Sequence, residues 1–200
     1  MGTELEAPID LETLAARLRE RNFEVVIVDN GSQAREEALR RIPEGATVHS
    51  GKSKTLEDAG IFDALMGDGY DFIRKQTMKL DRSKDRDLIR KLWAAPDVIV
   101  SSAHAVTEAG QIVITSASGS QIGPIASGAG KVILVVGSQK VVPDLDAAFR
   151  RIRDVVFPYE DARLREQLGV GTKSTRTLIL DSDFMPGRTT IILVREPIGV

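Results

Sequence analysis

Three short runs in this chain, Val98-Ile99-Val100-Ser101, Gln111-Ile112-Val113-Ile114-Thr115 and Lys131 to Val136, are apolar on consecutive positions rather than alternate ones. A strand wetted on one face carries a polar residue at every second position, so runs of this kind belong to strands covered on both faces. The sequence therefore predicts a mostly parallel sheet enclosed between other layers. The segments before them fit. Leu11, Leu14, Ala15 and Leu18 recur at helical spacing, giving a helix over 11–21 that runs into a strand at Phe23-Glu24-Val25-Val26-Ile27-Val28. Asn30-Gly31-Ser32 opens a second helix, Ala34 to Ile42, which Pro43-Glu44-Gly45 closes. A short strand, Ala46 to Ser50, leads through Gly51-Lys52-Ser53-Lys54-Thr55 into a helix from Leu56 to Met66 opened by Thr55.

Residues 67–84 are polar and irregular, and a helix around Asp87 to Ala95 stops before Pro96. Pro143-Asp144 starts a helix through Val155. Thr175–Leu180 and Thr189–Val194, joined across Pro186-Gly187, read as an antiparallel C-terminal β-hairpin. Together these elements predict one three-layer α/β domain over 1–200, with the N-terminal helix, within 1–22, as an appendage. In such domains ligands collect outside the C-terminal ends of parallel strands.

The charges restrict the partners. The 27 basic and 29 acidic residues give a formal net charge of −2, so there is no broad basic field for a nucleic-acid backbone or an anionic membrane. The chain has no cysteine, which removes disulfides, thiolate zinc sites and cysteine-ligated iron–sulfur clusters held by this chain. No apolar run approaches the roughly 20 residues that span a bilayer, and Met1 to Glu20 is charged and helix-like. The expectation is a cytoplasmic protein with no intrinsic cofactor and no metal site.

Three loops could carry chemistry. The first, His49-Ser50-Gly51-Lys52-Ser53-Lys54-Thr55, sets glycine, hydroxyls and lysines between a strand and a helix start, where anions are held well. It lacks Walker A spacing, and the alternative is a capping Thr55 beside solvated lysines. The second runs from Ser101 through His104 to Glu108-Ala109-Gly110-Gln111. Glu108 could serve as general base or nucleophile with His104 exchanging protons or orienting it, or the segment could be an ordinary hairpin turn with the carboxylate in water. The third, Ser116 through Ser118-Gly119-Ser120-Gln121 to Gly130, suits close backbone approach to a ligand and equally suits tight packing.

These loops also carry a family likeness. Gly51-Lys52-Ser53-Lys54-Thr55-Leu56-Glu57-Asp58-Ala59-Gly60-Ile61, with Lys52 as an extra residue, resembles the Gly-Ser-x-Thr-Leu-x-x-x-Gly-Ile element of the LUD-domain family, the lactate-utilisation proteins of the LutC and YkgG kind. Ala105-Val106-Thr107-Glu108-Ala109-Gly110-Gln111-Ile112-Val113 resembles that family's Ala-x-x-Glu-x-Gly-x-Ile/Leu-x segment, followed by Gly119-Ser120-Gln121 and by Val135 to Leu145. The motifs cover roughly 46–155, and Pro186-Gly187-Arg188 onward resembles the end of short, stand-alone members. The resemblance implies the fold of the NagB/RpiA/CoA-transferase superfamily and a link to lactate oxidation beside iron–sulfur subunits. Some related stand-alone proteins have a cysteine-rich stretch where this chain has Gly169-Val170-Gly171-Thr172.

Three functions follow as expectations. The first is binding of a small anionic or phosphorylated metabolite, with Gly51, Lys52, Ser53 and Thr55 at one end, Ser118, Gly119, Ser120 and Gln121 at the other, and Glu108 with His104 moving protons. The second is a non-enzymatic accessory role beside iron–sulfur lactate-utilisation subunits, the only place for such clusters. The third is a sugar-phosphate isomerase or a CoA-transferase-like enzyme. A homodimer is a further expectation, through the terminal strand or apolar helix faces.

Overall fold

The computed structural model describes residues 10–51 and 53–200. At its centre β7 (Lys131–Gly137) lies between β4 (Val98–Ser101) and β10 (Thr189–Val194), all parallel. Outside β10 runs β1 (Glu24–Val28), and β2 (Thr47–His49) and the two-residue β3 (Asp71–Phe72) extend the other side. The order is β1-β10-β7-β4-β2-β3, parallel throughout. The consecutive apolar residues explain this position. Val132, Leu134 and Val136 face one core cluster with Ile191 and Leu193, while Ile133 and Val135 face the other with Ile192 and Val194. Each such side chain contributes roughly 1.5–3 kcal/mol when fully buried.

On one face lie α2 (Gly31–Arg40), α3 (Lys54–Asp58) and α4 (Ile61–Met66), which bury Ala34, Ala38, Leu56, Ile61 and Leu65 against the sheet. On the other lie α1 (Leu11–Glu20) and a second sheet ordered β8-β5-β6-β9. Its strands are β5 (Ala105–Thr107), β6 (Ile112–Ser116), β8 (Val141–Val142) and β9 (Arg176–Leu180). Inward-facing Val106, Ile112 and Ile114 join the α1 leucines and the main sheet. Outward-facing Ala105 and Val113 pack on Ala148 of α7 (Leu145–Arg151) and on Ile152. The expected α/β fold with a mostly parallel sheet is present, and the second sheet supplies much of one outer layer.

Four expectations change. The helix taken as an appendage is α1, whose Leu14, Ala15 and Leu18 are fully buried, so it completes the core; residues 1–9 lie outside the described residues. The C-terminal β-hairpin does not form. β9 pairs antiparallel with β6, whereas β10 crosses to the main sheet between β1 and β7. The burial of β10 on both faces demands a central place, while half-exposed β9 suits the edge of the second sheet. The helix expected over 56–66 is divided at Gly60, which takes the left-handed φ of +68°. Finally, the helix from Asp144 does not stop at Val155. It passes through a π-helical turn, Ile152–Val156, into α8 (Phe157–Leu168), with Pro158 in the first turn. The irregular region 67–84 holds β3 and α5 (Ile73–Thr77), ahead of α6 (Arg86–Ala94).

Candidate functional site

The C-terminal ends of β2, β4 and β7 open onto one pocket of about 460 Å³, walled on its far side by the end of β6, the loop after it, and α8. Its volume lies within the ~300–1,000 Å³ range of small-molecule sites. Gly51, Ser53 and Thr55 come from the loop after β2 and the start of α3, and Ser101, Ser102, Ala103 and His104 from the end of β4. Thr115, Ser116, Ser118, Ser120 and Gln121 come from β6 and its loop. The two loops meet closely: a Cβ added at Gly51 would run into the Gln121 side chain. Gln121 is held there by a hydrogen bond from Ser101 Oγ to its Oε1 at 3.2 Å.

Cations dominate this lining. Lys54, Arg74, Arg82, Lys140, Arg163 and Lys173 reach it, against a single carboxylate side chain, Glu160. Glu160 is already engaged by Arg163, whose Nε and Nη2 donate to it at 2.8 and 2.5 Å, and Lys54 pairs with Asp58. Arg74 and Arg82 have no ion pair among the described residues. Arg74 lies over the Phe62 ring at 5.4 Å, and burial followed by the like charges of Arg82 and Arg163 pushes its pKa down. Uncompensated positive charge is therefore concentrated here on a chain whose total is slightly negative.

Lys140 is the most buried of these cations, 3% exposed. Its Nζ donates to Thr55 Oγ1 at 2.6 Å and to Ser102 Oγ at 2.9 Å. Burial, reinforced by the charge of Arg151, pushes its pKa down to about 7. His104 lines the same pocket and accepts at Nδ1 from the Thr115 N–H at 3.1 Å, which assigns its proton to Nε2. Burial and the charges of Lys140 and Arg151 push its pKa down to about 3, so it is a neutral imidazole.

The residues expected from sequence fall into three groups. Gly51, Ser53, Thr55, Ser118, Ser120, Gln121 and His104 share the pocket, and Gly119 lies in the same loop, where its left-handed backbone turns the chain beside Arg176. Lys52 lies outside the described residues. Thr55 is not the cap of α3; Ser53 occupies that position, and the Thr55 hydroxyl is buried beneath Lys140. Glu108 is placed apart from the pocket, in the β5–β6 turn, where Gly110 takes φ +89° and Arg17 donates to the Glu108 carbonyl at 2.7 Å. His104 and Glu108 stand at opposite ends of β5, so the structure does not bring them together. His49, 3% exposed, stacks near Trp93 at 6.0 Å between ring centres. Sequence reasoning missed Lys140, the Arg74–Arg82–Arg163 group and α8. A lysine three residues past the end of a buried strand, in Gly137-Ser138-Gln139-Lys140, was the available signal for the first.

A parallel α/β sheet with a pocket at its strand ends defines an architecture rather than a reaction. The family model of the LUD domain matches residues 11–194, and the chain belongs to that family. A crystal structure of a DUF162 family protein from Deinococcus radiodurans is similar over 94% of this chain and 100% of its own, at 14% identity and a TM-score of 0.57. A ribose 5-phosphate isomerase A from Neisseria gonorrhoeae is similar over 57% of this chain and 54% of its own, at 17% identity and a TM-score of 0.35. A D-ribose-5-phosphate isomerase in complex with phospho-erythronic acid is similar over 84% and 95%, at 14% identity and a TM-score of 0.40. No curated protein matches the sequence. Among the described residues, no helix is long and apolar enough to cross a membrane.

Proposed function

We propose that this LUD-domain protein binds a small anionic metabolite, carrying a carboxylate or phosphate, in the pocket at the ends of β2, β4 and β7, and that it does so in lactate utilisation. The observation that carries the proposal is the convergence of Arg74, Arg82 and Arg163 on a lining whose single carboxylate side chain is already paired. Anion binding removes the mutual repulsion of these guanidiniums, and the loop hydroxyls supply orienting hydrogen bonds. A three-carbon acid fills a minor part of 460 Å³, so the volume favours a larger phosphorylated ligand or an acid bound beside a second molecule.

The test is thermal stabilisation by inorganic phosphate, ribose 5-phosphate, pyruvate and lactate, in the native chain and in an Arg74→Gln/Arg82→Gln variant. A ligand at ten times its Kd stabilises by about 1.4 kcal/mol, or roughly 3–6 °C in a chain of this size. Stabilisation that disappears in the variant supports the site. No stabilisation by any of the four, or equal stabilisation of the variant, overturns it.

A second function, docking to iron–sulfur partner subunits, is favoured by the turn between β9 and β10, where Phe184 is 92% and Met185 58% exposed. With no cysteine in the chain, cysteine-held clusters would reside on the partner. Co-purification with purified cluster-bearing subunits, lost in Phe184→Ser, tests this.

A further inference from the structure

The hydrogen bonds around Lys140 leave its amine oriented for chemistry. Ser102 Oγ donates its own proton to the Ala103 carbonyl at 3.1 Å, so toward Lys140 it acts as acceptor, and Thr55 Oγ1 accepts from the same Nζ. A neutral amine has two protons to give. With both donated to these hydroxyls, its lone pair has no partner among the described residues and is left for the pocket that Lys140 lines. No carboxylate forms a salt bridge with it among the described residues. Charged neighbours are Arg151 from α7, which disfavours the ammonium, and Asp58 from α3, which favours it less strongly. His104, neutral with its proton on Nε2, adds a hydrogen-bond donor to the same pocket.

We infer that Lys140 is a covalent site, whose amine condenses with the carbonyl group of an anionic oxo compound to form an imine. This rests on the anion-binding function proposed above for the charge of the ligand, but the amine's geometry is independent of it. In the step, the Nζ lone pair attacks the carbonyl carbon and the carbonyl π pair moves to oxygen, which is protonated. Loss of that oxygen as water, with both amine protons accounted for in the departing water and the solvent, leaves one C=N bond. No oxidant or reductant is consumed. At pH 7 an amine with a pKa of about 7 is half neutral, a fraction about a thousandfold larger than for an exposed lysine. The lower basicity that comes with it reduces nucleophilicity only partly.

The experiment incubates the full chain with pyruvate as probe, traps any imine with cyanoborohydride, and maps the reduced adduct by peptide mass spectrometry from pH 6 to pH 10. The expected result is one adduct per chain, on Lys140, with a labelling rate that levels off just above pH 7 while exposed lysines continue to climb. Lys140→Met should lose it completely, and Thr55→Val, which retains the amine, should lower its yield. No adduct, or an adduct spread over surface lysines in proportion to exposure, overturns the inference. Pyruvate and phosphate stabilisation are read on the same samples without reductant. Stabilisation without an adduct defeats the covalent role alone, and a Lys140 adduct without anion stabilisation defeats the anion-binding function alone.

Discussion

Replacing Lys140 by methionine should stabilise the protein while disabling its pocket. An amine whose pKa falls from 10.5 in the unfolded chain to about 7 in the fold opposes folding by about 4 kcal/mol at pH 7. Methionine is similar in length and removes that cost, but leaves Thr55 Oγ1 and Ser102 Oγ without their donor, a loss of about 1 kcal/mol each. The net expectation is about 2 kcal/mol of added stability at pH 7, or roughly 4–8 °C in Tm. The sign depends on pH. The folded pKa is depressed, so between pH 7 and 10.5 the unfolded chain holds the extra proton, and the native protein gains stability as pH rises through that window. At pH 10 its penalty has fallen to about 1 kcal/mol, and the advantage of Lys140→Met should vanish or reverse. Urea unfolding of both proteins at pH 7, 8.5 and 10 measures this directly. Parallel stability profiles across that range would refute the claim that the fold depresses the pKa of this amine.

Other expectations follow from the same geometry. His49 and His104 have depressed pKa values, about 4 and about 3, so below pH 6.5 the unfolded chain binds protons that the folded one refuses. Stability should fall with acid, by about 2 kcal/mol from His49 alone at pH 5, and His49→Gln should flatten that part of the profile in denaturant titrations. Glu108→Gln should leave ligand stabilisation unchanged, because its turn lies away from the pocket; a loss of binding or turnover would return this carboxylate to the site. Gly128→Ala drives a Cβ into the backbone carbonyl of Ala94 and should cost roughly 1–3 kcal/mol by thermal unfolding, whereas Gly51→Ala meets only the movable end of Gln121 and should lower ligand affinity more than stability.

The strands of the main sheet were legible because consecutive apolar residues have one physical meaning, burial on both faces. The same rule, applied to Thr189–Val194, would have placed it in the centre. Proximity to Pro186-Gly187 argued for a hairpin instead, and short-range turn chemistry does not specify which sheet the next strand joins. The pocket loops were legible as small-residue segments after strands. Lys140, Arg74 and Arg163 were not, since a lysine or arginine reads as a solvated charge until tertiary packing shows what surrounds it. Thr55 illustrates the limit: its position one step from a helix start suggested capping, and only the approach of residues 85 positions later gives its hydroxyl a different partner.

The placement of β10 bears on how the chain is made. β1, complete by Val28, finds its only strand partner among the described residues in 189–194, so that hydrogen-bonding edge stays open until those residues are synthesised. The β7, β4 and β2 strands can pair earlier, which divides assembly into a central unit and an N-terminal α1–β1–α2 unit that the last strand joins to it. Closing a loop this long adds only a modest entropic cost, but it sets the order of events. The six-stranded sheet is thus closed by its last strand, and before Thr189 is made the N-terminal unit can meet the central one only through side-chain packing of the α1 leucines and the bonds of Arg17 and Arg21 to the β5–β6 turn, not through a strand ladder.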